Sequence, residues 1–355
     1  MSIHIINGQP WEQSEFNDLQ TDSITGWSTA PAFPKSIRSS QVCVTNNKVF
    51  IVGIRSNTDG GTILSTYSAN IDINGVISSW SIDGSLGTSL SGGAIVLLQN
   101  KLYHIGGEDT SGISSTIIQQ AIVNEDGTLG PWNFYGNLPI ASEGHEVVVT
   151  IDKIYLIGLN RLSAPIDSTG NIGTWTNEGA MPTELYSPGD WTPISLFGYS
   201  LTPSIIKTSS KVYVVSGLSI YSAAIEMDGT LGEFIAESPI SGLSSGAELF
   251  GSAVMVTKNR VFLIGGRNTE LASSKRVRTA PIIDGNIGSW SYGEDLPAVC
   301  FAAAAFSTVS KVYVVSTNSS YIYVADFIGG LNDYLNSTWY ESSFWTNFKG
   351  QTEIS

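Results

Sequence analysis

The sequence predicts an all-β fold in which six four-stranded blades form a closed ring, a six-bladed β-propeller. A strand motif that begins with Lys or Arg recurs six times, at intervals of 53, 52, 58, 49 and 51 residues. A sequence period near 50 is typical of stacked or radial repeats, and four short antiparallel strands per period predict a propeller blade. The six motif copies are Lys48–Gly53, Lys101–Gly107, Lys153–Gly158, Lys211–Gly217, Arg260–Gly266 and Lys311–Ser316.

The second repeat shows each predicted strand in turn. Residues 91–98 are small and apolar, and residues 101–107 alternate before a Gly-Gly pair, so the two segments predict a hairpin. After a polar loop, the β-branched residues of 115–124 predict a third strand. An Asp-Gly turn at 126–127 leads into a shorter fourth strand within 130–139.

The Asp-Gly turn recurs together with an aromatic residue that follows it. Glycine supplies the positive φ that a tight turn requires, and aspartate tolerates that conformation. The aromatic side chain at the head of the fourth strand is expected to fill the wedge between neighbouring blades. These aromatic residues are Trp80, Trp132, Trp175, Phe234 and Trp290.

The N-terminal segment is predicted to close the ring. Residues 24–27 end in Trp27 and match the residues around Trp290, so they resemble the missing fourth strand of the last blade. Closure of this kind removes two exposed sheet edges. The alternative is that residues 336–339 supply that strand and that residues 1–30 form a peripheral arm. The predicted organisation is an N-terminal arm over 1–22, the propeller over 23–330 and an aromatic-rich tail over 331–355.

The composition excludes several classes of function. The net charge is −14, and the one short basic cluster, residues 275–278, reads as a solvated strand. Nucleic acid is therefore not an expected partner, because phosphate binding needs clustered Lys and Arg.

Apolar stretches are of strand length, which predicts no membrane insertion, and no signal peptide is evident. Cys43 and Cys300 occupy different repeat offsets and predict no disulfide. No metal or other cofactor is expected, because the few His and Cys residues lack ligand spacing.

The repeats resemble Kelch-type β-propellers over residues 23–330. The resemblance rests on the Lys-Val-Tyr-type second strand, the Trp six residues after an Asp, and the Leu-Pro that follows. The Gly-Gly pair survives only at Gly106-Gly107 and Gly265-Gly266. In style, the repeats are similar to Kelch-like proteins of bacteria and tailed-phage virions. This resemblance implies a fold, whereas function depends on a local site.

Candidate ligand-binding residues lie in the loops predicted to ring one end of the channel. The long loop over 181–200 combines aromatic rings with a carboxylate, which suits stacking on a sugar and hydrogen bonding to its hydroxyls. Packing and protein contact are the alternatives. The candidates are Tyr186, Asp190, Trp191, Tyr199, Arg55 and Arg267.

A weaker set of residues could support catalysis. Glu143 and His145 lie two apart in a segment expected to be extended, which would place both on one side, and Glu248 falls in an equivalent loop. A His beside a carboxylate could act as an acid–base pair. His104 lies in mid-strand and is expected in the core. Residues Trp339, Tyr340 and Trp345 of the tail could dock onto a partner subunit.

Two functions are compatible with these patterns. The favoured hypothesis is a non-enzymatic binding or structural module on a virion, phage tail or cell surface, recognising protein subunits of an assembly or a host-surface glycan. The alternative is a sugar-processing enzyme, since six-bladed Kelch-type propellers include sialic-acid mutarotases and six-bladed sialidases share the turn-and-Trp pattern. A sialidase would need an arginine trio, for which Arg38, Arg55 and Arg267 are candidates.

Overall fold

Every sheet of the ring is antiparallel, and strand follows strand from the central channel outwards. The computed structural model describes residues 5–6, 9–10, 22–34, 41–45, 47–52, 65–109, 111–182, 204–216, 219–238, 251–257, 259–266, 273–300, 304–316 and 321–328. These residues form strands, isolated bridges and turns, and no helix occurs among them.

The strands group into six blades. Near the N-terminus, β1 (Ile5–Ile6) pairs with β2 (Gln9–Pro10), and β3 (Ser23–Thr29) follows. Blade 1 contains β4 (Gln41–Val44), β5 (Lys48–Val52), β6 (Ser65–Asn70) and β7 (Ser81–Ser85), and blade 2 contains β8 (Ala94–Leu98), β9 (Lys101–Ile105), β10 (Ile117–Ile122) and β11 (Asn133–Asn137). Blade 3 contains β12 (Glu146–Val149), β13 (Lys153–Ile157), β14 (Asn160–Pro165) and β15 (Thr176–Ala180), and blade 4 contains β16 (Ser204–Lys207), β17 (Lys211–Ser216), β18 (Ser219–Ala224) and β19 (Ile235–Ala236). Blade 5 contains β20 (Ala253–Val256), β21 (Arg260–Ile264), β22 (Val277–Ile283), β23 (Asn286–Ile287) and β24 (Ser291–Tyr292), and blade 6 contains β25 (Ala304–Ser307), β26 (Lys311–Val315) and β27 (Ile322–Ile328).

The N-terminal strand closes the ring, as the sequence predicts. β3 pairs with β27 from Tyr323 opposite Thr29 to Ile328 opposite Ser23, so blade 6 takes its outer strand from the start of the chain. The alternative, closure by residues 336–339, is wrong. Each innermost strand contacts the innermost strand of the next blade, and β25 contacts β4 to complete the circle. Apart from Asp22 and the β1–β2 pair, the arm over 1–22 and the tail over 331–355 lie outside the described residues, so these two boundaries stay predictions.

The Lys motif becomes the second strand of each blade because its apolar residues pack on both faces. In β5, Val49, Phe50, Ile51 and Val52 are all fully buried, since blades stack on either side of the sheet. The fourth-strand aromatics fill the wedges as predicted. Trp132 packs with blade 1 residues, and its indole Nε1 donates to Thr66 Oγ1 at 2.9 Å.

The turns at one end of the ring hold neighbouring blades together through hydroxyl groups. In blade 3, the Thr150 hydroxyl donates to the Gly229 carbonyl of blade 4 at 2.7 Å, and the Tyr155 hydroxyl donates to the same oxygen at 3.3 Å. The Leu231 amide donates to the Tyr155 oxygen at 3.1 Å. Similar contacts join Tyr103 to Gly170, Thr208 to Gly285, and Thr308 and Tyr313 to Gly75.

In the Asp-Gly turns, glycine has the predicted conformation, whereas aspartate mostly has a different role from the predicted one. Glycine has positive φ as expected, with 79° at Gly127 and 76° at Gly285. Aspartate has positive φ only at Asp284 among the described turn residues, with 50°. Asp126 instead accepts the Thr128 amide at 2.9 Å, and Asp228 accepts the Thr230 amide in the same way in blade 4. Aspartate is favoured there because its side chain satisfies a turn amide.

Candidate functional site

The ring has two chemically distinct ends. The turn face carries the turns between first and second strands and between third and fourth strands, where the hydroxyl contacts described above lie. The loop face carries the connections between second and third strands and those from one blade to the next. Innermost strands start at the loop face, so residues such as Gln41 and Glu146 stand at the mouth of the channel.

At the loop face, blades 2 and 3 are locked together by a double glycine. The Gly107 amide donates to the Ser142 carbonyl at 2.8 Å, and the Ser142 amide donates to the Ser115 carbonyl at 3.1 Å. A Cβ on Gly106, which has φ of 64°, would lie 2.6 Å from that Ser142 carbonyl oxygen. Only glycine lets the loop of blade 3 approach so closely.

His145 is buried beneath this lock and is fully satisfied by neutral partners. Its Nε2 lies 3.0 Å from the Ile105 carbonyl oxygen, and its Nδ1 lies 2.9 Å from Ser142 Oγ. A carbonyl oxygen only accepts, so Nε2 carries the proton and Nδ1 accepts from the serine hydroxyl. Burial lowers the pKa of His145 to about 4, against the raising effect of the Ile105 and Glu143 carbonyls.

Glu143 and His145 do not share one side of an extended segment. Gly144, between them, has φ of 58°, in the left-handed region. This turn places His145 in the interior with no exposed surface, whereas Glu143 keeps part of its surface exposed. A neutral, enclosed ring with both nitrogens bonded is poorly placed to exchange protons with a ligand.

The structure instead brings Glu143 to a second carboxyl group, Glu108, in the loop after β9. Burial raises the pKa of Glu143, and the negative charge of Glu108 and a hydrogen bond with it raise the pKa further. A hydrogen bond from Ser114 acts in the opposite direction. The Oε2 atom of Glu143 is buried and has no hydrogen-bond partner among the described residues.

Glu146 lies beside the channel, because it belongs to the innermost strand of blade 3. It is the first residue of β12, and its carboxyl group receives a hydrogen bond from the Gln41 side chain of β4. Blade 2 lies between those two strands, so the contact spans part of the mouth. Glu146 is partly exposed but is enclosed by protein, and burial raises its pKa to about 7, with the Gln41 bond acting to lower it.

His104 is a core residue, as expected from its position in β9. It has no exposed surface, and burial, followed by the proximity of His145, lowers its pKa to about 3. Neither ring nitrogen has a hydrogen-bond partner among the described residues. His104 is therefore neutral at physiological pH and does not reach the mouth.

Blades 5 and 6 repeat the double-glycine lock on the opposite side of the ring. The Gly266 amide donates to the Cys300 carbonyl at 2.8 Å, and the Cys300 amide donates to the Ser274 carbonyl at 2.7 Å. Cys300 thus takes the place of Ser142. The thiol is buried and forms no disulfide bond, and the sequence has no histidine at this junction.

Most of the sequence-predicted site residues lie outside the described residues. These are Tyr186, Asp190, Trp191, Tyr199, Arg55, Arg267, Glu248, Trp339, Tyr340 and Trp345. Of the predicted site residues, the structure therefore describes Glu143 and His145, and it shows that their side chains lie apart. Sequence reasoning did not anticipate the Glu108–Glu143 pair or the Gln41–Glu146 contact. The signal that could have found both pairs was the common position of their residues at the loop-face ends of strands.

The described part of the chain contains no group of three or more His, Cys, Asp or Glu side chains arranged to hold a metal ion. No helix within it is long and apolar enough to cross a membrane.

Comparisons with known proteins identify the fold and leave the family open. No protein-family model matches the sequence. No curated protein matches it either. Among solved structures, one titled "Structure of YjhT" is similar with a TM-score of 0.57, at 13% sequence identity, covering 84% of this chain and 96% of that chain. In all, 550 solved chains are similar, and a fold shared so widely does not specify a function.

Proposed function

We propose that this protein is a non-enzymatic binding module that recognises a neutral, hydroxyl-rich glycan at the loop-face mouth of its channel. The observation that carries the proposal is the division between the two faces. Hydroxyl groups on the turn face are used in bonds between blades, whereas the loop face carries two contacts of carboxyl groups, Glu108 with Glu143 and Gln41 with Glu146.

The chemistry of the mouth favours hydroxyl donors as ligands. Carboxylate and amide oxygens accept hydrogen bonds from sugar hydroxyls. The described carboxyl groups and the net charge of −14 disfavour an anionic sugar. Because His145 is enclosed and neutral, binding does not require the acid–base pair that the sequence suggested.

The Kelch-type relationship is supported by the two double-glycine locks. Both surviving Gly-Gly pairs, at 106–107 and 265–266, perform the same backbone task at two junctions. We extend the proposal to a protein of a virion, phage tail or cell surface that assembles with other protein subunits. This extension rests on the similarity of the repeats to those of Kelch-like proteins of bacteria and tailed-phage virions. Co-sedimentation of the protein with particles tests it.

A glycan array of the purified chain tests the binding proposal. We expect retention of neutral glycans, and at least about tenfold weaker retention by Glu143→Gln, since one carboxylate acceptor is lost. Glu125→Gln is the matched control, because it removes an exposed carboxylate from the turn face of blade 2. Equal binding by the two variants, or no retained glycan, would contradict the proposal.

The raised pKa of Glu146 supports a second candidate function, a sugar-processing enzyme of the sialic-acid mutarotase or sialidase-like type. A carboxyl group with a pKa of about 7 can donate or accept a proton near neutral pH. Proton exchange at an anomeric hydroxyl requires such a group. NMR exchange between the anomers of sialic acid and of neutral sugars tests this candidate. Acceleration that Glu146→Gln abolishes would replace the binding-only function with turnover.

A further inference from the structure

A cleft of about 430 Å³ lies between blades 4 and 5, away from the channel mouth. Its walls combine aromatic, apolar and charged groups from both blades. The residues that define it are Lys211, Tyr213, Glu237, Asn286, Ile287 and Trp290.

At the equivalent junction between blades 2 and 3, contacts between the blades close this space. There, the Lys101 Nζ crosses to blade 3 and donates to Asn171 Oδ1 at 2.7 Å. Lys211 and Asn286 occupy the same repeat positions in blades 4 and 5. Lys211 instead pairs within its own blade, with its Nζ 3.2 Å from Glu237 Oε1.

The two junctions also differ at one position in the outer strand. Three residues after the fourth-strand aromatic, blade 2 has Tyr135 and blade 4 has Glu237. The Tyr135 hydroxyl donates to the Ile172 carbonyl of blade 3 at 2.7 Å, and its ring packs edge-on against Tyr103 at 5.0 Å between centroids. Glu237 is shorter and stays in blade 4, where it accepts the Ser222 hydroxyl at 2.5 Å.

The cleft is lined by one basic and one acidic side chain, Lys211 and Glu237, so it has no net charge. The Ser222 hydrogen bond, and then Lys211, lower the pKa of Glu237 against the effect of burial, so the Glu237 carboxyl group is ionised at neutral pH. Adjacent opposite charges favour a ligand that offers both hydrogen-bond donors and acceptors without a net charge.

The aromatic wall supplies a stacking surface. Trp290 is partly exposed and lines one wall of the cleft. Asn286 and Ser289 are exposed at the edge of the same cleft. An aromatic face with hydrogen-bonding groups around it is suited to a ring whose faces are apolar and whose rim is polar.

We propose that this cleft is a second binding site, for one pyranose unit of a neutral glycan, which stacks on Trp290 and hydrogen-bonds Asn286 and the Lys211–Glu237 pair. The site lies in a different part of the ring from the mouth, so it does not depend on the function proposed for the mouth.

Titration with methyl pyranosides of glucose, galactose, mannose and N-acetylglucosamine tests the site. The indole ¹H–¹⁵N signal of Trp290, assigned with Trp290→Phe, should shift with a dissociation constant on the order of 1 mM for at least one probe. Glu237→Tyr, which introduces the side chain of the closed junction, should weaken that binding at least about tenfold. Asn286→Ala should weaken it less, by about threefold.

Two controls keep the result interpretable. Asn171→Ala changes the matched asparagine at the closed junction and should leave the Trp290 response unchanged. Unaltered indole signals of the other Trp residues show that each variant is folded. The site is refuted if no probe shifts the Trp290 signal, if Glu237→Tyr binds like the parent, or if Glu143→Gln removes the response while Glu237→Tyr does not.

Discussion

On the turn face, Thr150 and Tyr155 of blade 3 both hydrogen-bond the Gly229 carbonyl of blade 4, whereas on the loop face Glu143 and Glu108 are held against each other. The turn-face bonds join neutral groups across junctions and recur around the ring. The Glu108–Glu143 contact brings two carboxyl groups together, and it is described at one junction of the loop face. Repeated neutral bonds stabilise a scaffold, while an acid pair costs stability and is a sign of function.

The largest expected effect comes from a turn-face glycine. A Cβ on Gly170, which has φ of 79°, would lie 2.6 Å from the Leu98 carbonyl oxygen of blade 2. We expect Gly170→Ala to lower the free energy of unfolding by about 3 kcal/mol, from backbone strain and overpacking together. Urea denaturation measures this change.

Gly136→Ala is the control for that substitution. Gly136 lies in β11, and an added Cβ would have nothing within 4 Å. Its effect should stay within about 0.5 kcal/mol. If Gly170→Ala were equally mild, the turn face would not be the rigid element of the ring.

The next largest effect is the pH dependence of stability that arises from Glu146 at the loop face and from the two buried histidines. Glu146 has a folded pKa of about 7, above its unfolded value near 4.5. Its protonated form therefore contributes stability below pH 4.5, and that contribution is lost as the pH rises to about 7. His104 and His145 have folded pKa values of about 3 and 4, so they destabilise the fold as the pH falls below about 6.5. The two effects oppose each other between pH 4.5 and 6.5.

Glu146→Gln should separate these contributions. Relative to the parent, the variant should gain stability as the pH rises from 4.5 to 7, by about 2 kcal/mol after discounting for partial exposure. Urea denaturation across that range measures the difference. Glu125→Gln should give a curve parallel to the parent, and a parallel curve for Glu146→Gln would contradict the placement of Glu146.

A smaller effect is expected from single hydroxyl groups on the turn face. Tyr155→Phe removes the bond to Gly229 and leaves the Leu231 amide without its acceptor. The cost should be about 1–2 kcal/mol. Tyr292→Phe, at a side chain that is 55% exposed, should be neutral. Thermal denaturation compares the two, and equal midpoints would mean that the turn-face bonds contribute nothing net.

The sequence predicted the scaffold because the scaffold depends on local, repeated signals. The Lys motif marks a strand buried on both faces, and the Trp at the head of the outer strand marks a wedge. Trp27 revealed ring closure because residues 24–27 repeat the pattern around Trp290, although the paired strands are separated by most of the chain.

The site was less predictable because it depends on residues from different blades. The burial of His145 follows from the left-handed Gly144 and from the close approach of Gly106, neither of which the local sequence reveals. The Gln41–Glu146 contact joins blades 1 and 3. The cleft between blades 4 and 5 is lined by residues of both blades, so it appears only when the two blades are packed side by side.

The most direct test of the division between faces is an amide chemical-shift map recorded with a glycan retained on the array. We expect the amides of Glu108 and Gly144 to shift, and those of Gly75, Gly127 and Gly170 to stay in place. Shifts confined to those turn-face glycines, with the loop-face amides unmoved, would show that the binding surface is on the opposite end of the ring.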